Sequence, residues 1–286
     1  MPTPLSQLSE DTLVRSLSSV LRAPDVGVGI GDDCAVLAEG RLLKTDSVIE
    51  GRHYLPQTPP ALVGRKAIAR VISDLAAMGG VPEAFLVTCG LRGSSALEQL
   101  REMYAAMDAL CMEYGGHIVG GETCKVGEGE PEFFSITGYG HCISAPILRS
   151  GAQVGDGIYV TGELGNTFHT EHHLRFCPRQ GEARWLVQNA RPSAMMDLSD
   201  GIARDLPRLA HCSAVGYSIV PESLPLRAGA TPQTALTDGE DYELLFTLPP
   251  ALAEQLRDAP FQVSHIGEIT TNTATPLEGG WDHLAP

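Results

Sequence analysis

Residues 60–80 read PALVGRKAIARVISDLAAMGG, and they organise the first half of this chain. A proline stands at the start of the stretch, where a helix does not need the backbone N–H that proline lacks, and two glycines end it. An apolar row formed by Ala67, Val71 and Leu75 runs between these two ends. The pattern predicts an amphipathic helix over Pro60–Met78.

The same helix carries a polar row. Lys66, Arg70 and Asp74 lie four residues apart and therefore share one side of the helix. Taken alone, this row is typical of an exposed ion-pair ladder, which contributes only tenths of a kcal/mol to stability. Together with the other acidic residues described below, Asp74 becomes a candidate functional residue.

Further elements are predicted on both sides of this helix. Strands are expected at Arg41–Ile49, His117–Val119 and Phe133–Gly140, and helices at Leu8–Leu21 and from Ser95 to Gly115. Ser95 and Glu98 have the spacing of a capping box, which favours a helix start at this point. The first half is therefore expected to be an α/β unit.

The second half begins after a break rich in proline, serine and glycine, so a domain boundary is predicted near Arg149, dividing the chain into 1–148 and 149–286. Strands are expected around Ile158–Val160 and at Ala194–Met196, Gly216–Val220, Tyr242–Leu248 and Val263–Ile266, with helices after Ser199 and Pro250. The expected fold class is α/β (α+β), with mixed sheets covered by helices.

Composition limits the possible partners. The chain has 286 residues with 35 acidic and 20 basic side chains, a formal net charge of -15, which argues against nucleic acid as a partner. Its seven cysteines are scattered and form no C-x-x-C pair, as expected of a reducing cytoplasm. Neither a membrane span nor an export signal is evident. Because the chain is strongly acidic, any phosphate chemistry must rely on metal ions.

Acidic residues gather where predicted strands meet glycine turns. They are Asp32, Asp33, Asp46, Glu122, Asp197, Asp200, Glu240 and Asp241. Each one alone is typical of an ordinary turn or a helix cap. As a set without matching histidines or thiolates, they favour Mg²⁺ or Ca²⁺ over zinc, and magnesium usually accompanies phosphate.

Standard nucleotide motifs are absent. There is no G-x-x-x-x-G-K-[ST], and the glycines of residues 27–31 miss the G-x-G-x-x-G spacing. The HTEHH stretch, with His169, His172 and His173, does not have the spacing of a zinc hydrolase motif and is predicted to lie on an exposed linker.

A series of motifs nevertheless resembles one family along nearly the whole chain. The motifs are GIGDD, KTD-x4-GRHY, SDLAAMGG, GGETCK, RSGAQVGDGIYVTGELGN, DLSDG, DGEDYELLF and the ending GGWDHLAP. Together, in this order, they resemble thiamine-monophosphate kinase, which is related to aminoimidazole ribonucleotide synthetase. The resemblance implies the two-domain fold of that group and a homodimer formed through the N-terminal domains.

The resemblance also implies roles for individual residues. Magnesium ligands would be Asp33, Thr45, Asp46, Asp74, Glu122, Asp197 and Asp200, with Asp74 and Asp46 as the catalytic pair. ATP contacts would be Tyr104, Gly121, Glu122, Arg149 and Ser199, and the thiamine-phosphate pocket would include His53, Glu240 and Trp281. The implied reaction is direct transfer of the ATP γ-phosphoryl group to thiamine monophosphate, dependent on several Mg²⁺ ions.

Some positions depart from the family pattern. Lys44 stands where serine or threonine is usual, so one metal site is expected either to lose a ligand or to have its charge replaced by an ammonium. Glu122 replaces the usual aspartate, and Cys124-Lys125 stands where Thr-Arg is common. The stretch Thr161–Trp185 is also shortened. Two alternatives therefore remain open, namely an ATP-dependent enzyme of the same superfamily with another acceptor and a nucleotide-binding homologue without catalysis.

Overall fold

Two five-stranded sheets form the framework of the protein. The computed structural model describes residues 3–22, 27–271 and 277–284. The strands of the first sheet are β1 (Ala35–Val36), β2 (Arg41–Ile49), β3 (Gly80–Leu91), β4 (His117–Lys125) and β5 (Phe133–Cys142). Their order is β1-β2-β5-β3-β4, and the β3–β4 pair is parallel while the other pairs are antiparallel.

The second sheet is built from the second half of the chain. Its strands are β6 (Gly157–Thr161), β7 (Ala194–Asp197), β8 (Gly216–Ile219), β9 (Leu244–Leu248) and β10 (Val263–Thr270). They lie in the order β7-β9-β6-β10-β8, and all of these pairs are antiparallel. The predicted fold class of mixed sheets covered by helices is confirmed. The predicted boundary at 148/149 lies between β5 and β6 and stays a prediction.

Seven α-helices accompany the sheets within the described residues. They are α1 (Glu10–Ser18), α2 (Pro60–Ala77), α3 (Leu97–Tyr114), α4 (His172–Arg175), α5 (Gln180–Asn189), α6 (Ile202–Cys212) and α7 (Pro232–Thr237). The segment Pro250–Asp258 is a 3-10 helix. No helix in this part of the chain combines the length and apolarity needed to cross a membrane.

Helix α2 lies between the two halves and is the most deeply buried helix. It packs on one face of the first sheet, against α3, and also against α4, α5 and β7 of the second half. Gly64 makes the α3 contact possible, because a Cβ atom there would lie 2.2 Å from the carbonyl oxygen of Met103. The opposite face of the first sheet is open and exposes Leu43, Leu86 and Val119.

Several predicted elements match the structure closely. Strand β2 has the predicted bounds, α2 ends one residue early, and α1 begins after Ser9, whose hydroxyl accepts from the Thr12 N–H.

Strand β3 was not predicted. It contains Pro82, which is unusual inside a strand, and its register shifts between Pro82 and Ala84, so the regular strand pattern is interrupted.

Other predictions are wrong. The capping box does not form, because α3 begins at Leu97 and the Ser95 hydroxyl donates to Glu132 instead. The segment after Pro250 is a 3-10 helix, and β9 begins at Leu244 because Tyr242 has a positive φ of 51°.

The HTEHH stretch is an exposed linker only in its first part: His169, Thr170 and Glu171 are exposed in a turn, whereas the last two histidines are not. His172 opens α4 and its Nε2 lies 2.8 Å from the carbonyl oxygen of Asp241, while His173 is buried. The end of this stretch therefore packs onto the segment that precedes β9.

Candidate functional site

Three buried carboxylates from separate elements meet between the two halves of the chain. Asp33 lies just before β1, Asp74 is on α2, and Asp197 ends β7. One oxygen of each lies within 4.8 Å of the others. We call these three residues the acid cluster.

Burial and mutual repulsion disfavour negative charge on the carboxylates of the acid cluster. Burial, followed by repulsion from Asp33, raises the pKa of Asp197 to about 7, and burial likewise raises the pKa of Asp74 well above its ordinary value. Within the described residues, Asp33 Oδ2 is buried and has no hydrogen-bond partner. An all-oxygen donor set with an unpaired buried oxygen fits a hard cation such as Mg²⁺.

Two cations and one hydroxyl contact the acid cluster. Lys44 Nζ lies 2.6 Å from Asp74 Oδ1, and the Arg149 guanidinium donates through Nε to Asp33 Oδ1 over 3.1 Å. The Ser73 hydroxyl donates to Asp197 Oδ2 over 2.6 Å. The proximity of Asp74 raises the pKa of Lys44 in spite of its burial, so Lys44 is a permanent cation at this position.

A second layer of ion pairs continues along α2. Arg70 Nε lies 2.8 Å from Asp46 Oδ2, and Lys66 Nζ donates to Glu240 Oε2 over 2.7 Å. Burial would raise the pKa of Asp46, but Arg70 and Lys44 outweigh it and lower that pKa. Burial lowers the pKa of Lys66 to about 8, although Glu240 opposes the change.

The polar row of α2 is therefore not an exposed ladder. Lys66, Arg70 and Asp74 are all buried, and each of them is paired with a residue from another element. The i, i+4 spacing correctly places them on one side, and that side faces the site between the two halves.

The three predicted substrate-binding residues lie in one region. His53 accepts at Nδ1 from the Ile49 N–H over 3.0 Å, and its carbonyl oxygen accepts from Lys66, which also binds Glu240. Burial, assisted by Arg70 and Lys66, lowers the pKa of His53 to about 3, so its ring is neutral.

The C-terminal ending reaches the same region. The ring of His283 lies 5.9 Å from that of His53 and meets Trp281 edge-on. The backbone N–H of Trp281 donates to the carbonyl oxygen of Asp200 over 2.9 Å, and the residue is 45% exposed. Residues 285 and 286 of this ending lie outside the described residues.

Comparison with known proteins places this geometry in a family. Residues 31–142 match the model of the AIR synthase related protein, N-terminal domain. A thiamine-monophosphate kinase of Rhodopirellula baltica is 33% identical, over 92% of this chain and 88% of its own length. The chain belongs to the thiamine-monophosphate kinase family. The predicted resemblance is thus confirmed.

Solved structures of this family have the same fold. AaThiL complexed with AMPPCP and TMP superposes with a TM-score of 0.88 at 28% identity, covering 99% of both chains. Thiamine monophosphate kinase from Aquifex aeolicus gives a TM-score of 0.81 at 30% identity, over 94% of this chain and 95% of that one.

Thr45 and Glu122, which the family resemblance assigns to magnesium, lie on the face of the first sheet opposite to α2. Asp46 and Thr45 are neighbours on β2 and so point in opposite directions, and the Thr45 hydroxyl accepts from Thr137. Glu122 is exposed and lies about 14 Å from β2, since two strands separate β4 from β2. The single chain does not bring Thr45 or Glu122 into the acid cluster, and their metal roles stay predictions.

Asp200, three residues after Asp197, is not part of the acid cluster and has its own partner. Its carboxylate accepts from Arg208 Nη1 over 2.5 Å, and its backbone N–H donates to Asp205. Ser199, the preceding residue, accepts the Glu240 N–H at its carbonyl oxygen. The DLSDG motif thus links the acid cluster to the region of Glu240.

The predicted ATP contacts are spread more widely. Arg149 touches the acid cluster, whereas Gly121 lies on β4, where a Cβ atom would lie 1.8 Å from the Val87 carbonyl oxygen. Tyr104 is on α3, and its hydroxyl lies 4.0 Å from the sulfur of Cys89. The residue before it, Met103, packs on Gly64, which is about 15 Å along α2 from Asp74. Close strand packing alone accounts for glycine at 121.

Sequence reasoning missed several partners in the site. Ser73 as a donor and Asp32, which accepts the Arg149 N–H over 3.1 Å, were not predicted in these roles. For Lys44, an ammonium in place of a metal's charge was expected, but Asp74 was not named as its partner. The departure of Lys44 from the family pattern was the available signal, but its partner is 30 residues away in sequence and depends on the tertiary fold.

Proposed function

We propose that this chain is a thiamine-monophosphate kinase that transfers the γ-phosphoryl group of ATP to the phosphate of thiamine monophosphate. The observation that carries the proposal is the acid cluster, Asp33, Asp74 and Asp197, which is assembled from both halves of the chain. A family relative, AaThiL, is complexed with AMPPCP and TMP, a pair of ligands that matches a nucleotide donor and a phosphate acceptor.

The acid cluster would hold magnesium, with Asp46 and Asp200 as further ligands once Arg70 and Arg208 release them. Bound Mg²⁺ supplies neutralisation of phosphate charge and alignment of the two anions. Asp33 Oδ2 is ready to take a cation because it is buried and unpaired within the described residues. The finer assignments to Thr45 and Glu122 are carried over from the family resemblance only.

The reaction needs no protein nucleophile. A phosphate oxygen of thiamine monophosphate attacks the γ-phosphorus in line with the leaving group, and the bond to the β–γ bridging oxygen breaks, giving thiamine diphosphate and ADP. Since the attacking oxygen is already ionised, the residues act by position and charge. Arg149 is placed to meet phosphate oxygens on the side of Asp33.

The acceptor pocket is formed by His53, Glu240 and Trp281. Glu240 accepts hydrogen bonds and suits an aminopyrimidine, and its pairing with Lys66 fixes its position. The half-exposed indole of Trp281 offers a face to a cationic thiazolium ring, a contact worth about 0.5–2 kcal/mol. The neutral ring of His53 adds no positive charge beside that cation.

We further propose a cytoplasmic homodimer formed through the N-terminal domains, residues 1–148. The open face of the first sheet exposes three apolar side chains, Leu43, Leu86 and Val119, which a second copy would cover. Thr45 and Glu122 lie on this same face, so their family roles and those of Gly121 and Tyr104 toward ATP are best tested on the assembled protein.

The direct test is ADP release by the purified protein with Mg²⁺ and ATP, with and without thiamine monophosphate. We expect acceptor-dependent turnover and thiamine diphosphate as product, identified by chromatography. Asp258→Asn, a change at an exposed acid, serves as the control for variants of the acid cluster. ATP binding without acceptor-dependent turnover would overturn the proposal in favour of a non-catalytic homologue, and turnover with a different phosphate acceptor would redirect it.

A further inference from the structure

Lys44 brings a fixed positive charge into the acid cluster. It lies on β2 on the same face as Asp46, which is the face covered by α2. Its Nζ atom is 2.6 Å from Asp74 Oδ1, and the two side chains are only 23% and 8% exposed. The pair is therefore largely removed from solvent.

The other cations around the cluster contact other acids. Arg70 contacts Asp46, and Arg149 contacts Asp33. Asp74 faces Asp33 and Asp197, so the ammonium of Lys44 balances a group of carboxylates and not merely one of them. This explains how Asp74 is held in a buried, acidic environment before any ion binds.

An ammonium and a metal ion cannot share the same side of one oxygen. Magnesium binds oxygen at about 2.0–2.1 Å and demands near-octahedral geometry, whereas the ammonium occupies the space 2.6 Å from Asp74 Oδ1. A lysine also offers three donors and no acceptor, so it repels a divalent ion and cannot act as its ligand.

We propose that Lys44 is a resident cation that takes the place of one divalent ion at Asp74 Oδ1. The site of this chain then holds one divalent ion fewer than the same site with a neutral oxygen donor at position 44. The inference rests on the magnesium site of the proposed function, and counting bound ions tests it independently of turnover.

The test counts bound Mn²⁺ by electron paramagnetic resonance, in the presence of AMPPCP, for the wild type, Lys44→Thr and Lys44→Arg. We expect one additional Mn²⁺ per chain in Lys44→Thr and an unchanged count in Lys44→Arg, which keeps the charge. Equal, non-zero counts in the wild type and Lys44→Thr would overturn the role of Lys44 and leave the kinase proposal intact. Zero counts in both would overturn both.

Lys44→Thr also loses the ion pair with Asp74, which lowers the stability of the folded protein. A second measurement therefore tests the proposal in case this variant folds poorly. Thermal unfolding of the wild type, Lys44→Thr and Lys44→Met is followed without nucleotide, first in chelator and then with Mg²⁺ at about 100 times its dissociation constant. We expect Mg²⁺ to raise the melting temperature of both variants by about 5 °C or more beyond its effect on the wild type. The same Mg²⁺-induced shift in all three proteins would contradict the proposal.

Discussion

Replacing Asp197 by asparagine removes one of three facing carboxylates but keeps an oxygen that can accept from the Ser73 hydroxyl. The folded-state pKa of Asp197 is about 7, against 3.8 for the free group, a difference equivalent to about 4 kcal/mol. Because the folded-state pKa is the higher one, the native state binds more protons between these values. Stability of the metal-free protein therefore falls as pH rises from about 4 to about 7.

Between pH 5 and pH 8 this single group should lower the unfolding free energy of the wild type by about 3 kcal/mol, and Asp197→Asn should lack this pH dependence. The assay is urea unfolding at both pH values in chelator, with Asp258→Asn as the matched control, which should behave like the wild type. Turnover with Mg²⁺ should meanwhile be lost in Asp197→Asn. An unfolding free energy that depends on pH equally in Asp197→Asn and the wild type would refute the electrostatic reasoning.

Three further predictions concern the site and the helix that carries it. Asp74→Asn should lower kcat at least about 100-fold while leaving the protein folded, and Asp258→Asn should not; near-normal kcat would remove Asp74 from the site. Trp281→Ala should raise KM for thiamine monophosphate about 2- to 30-fold with KM for ATP unchanged, and equal changes in both would argue against a thiazolium contact. Gly64→Ala should lower the unfolding free energy by about 2 kcal/mol in urea titrations, since a Cβ atom would lie 2.2 Å from the Met103 oxygen; an equally stable variant would show that α3 can move away.

Local patterns predicted the regular elements well. Strand β2 has the bounds expected from its sequence, and α2 follows its proline and glycine signals to within one residue. Strand β3 could not be found in the same way, because Pro82 and the neighbouring register shift interrupt the pattern that identifies a strand. Ser95 shows a similar limit, since its hydroxyl is taken by Glu132, which is 37 residues away in sequence.

The acid cluster was predictable in part. Asp33, Asp74 and Asp197 were all candidates, but the sequence could not show that these three form the group whose oxygens lie within 4.8 Å. The separation of Thr45 from Asp46 follows from strand alternation and was available from the sequence. The pairing of Lys44 with Asp74 depends on how β2 lies across α2, which only the tertiary structure gives.

The central claim is that divalent ions held by the acid cluster allow this acidic chain to bind a polyanionic nucleotide. Isothermal titration calorimetry with AMPPCP, in buffer freed of metal, tests it with and without added Mg²⁺ on the wild type and Asp74→Asn. We expect the wild type to bind the nucleotide only when Mg²⁺ is present, and Asp74→Asn to bind it much more weakly. Equal nucleotide binding by the wild type in both buffers would contradict the account.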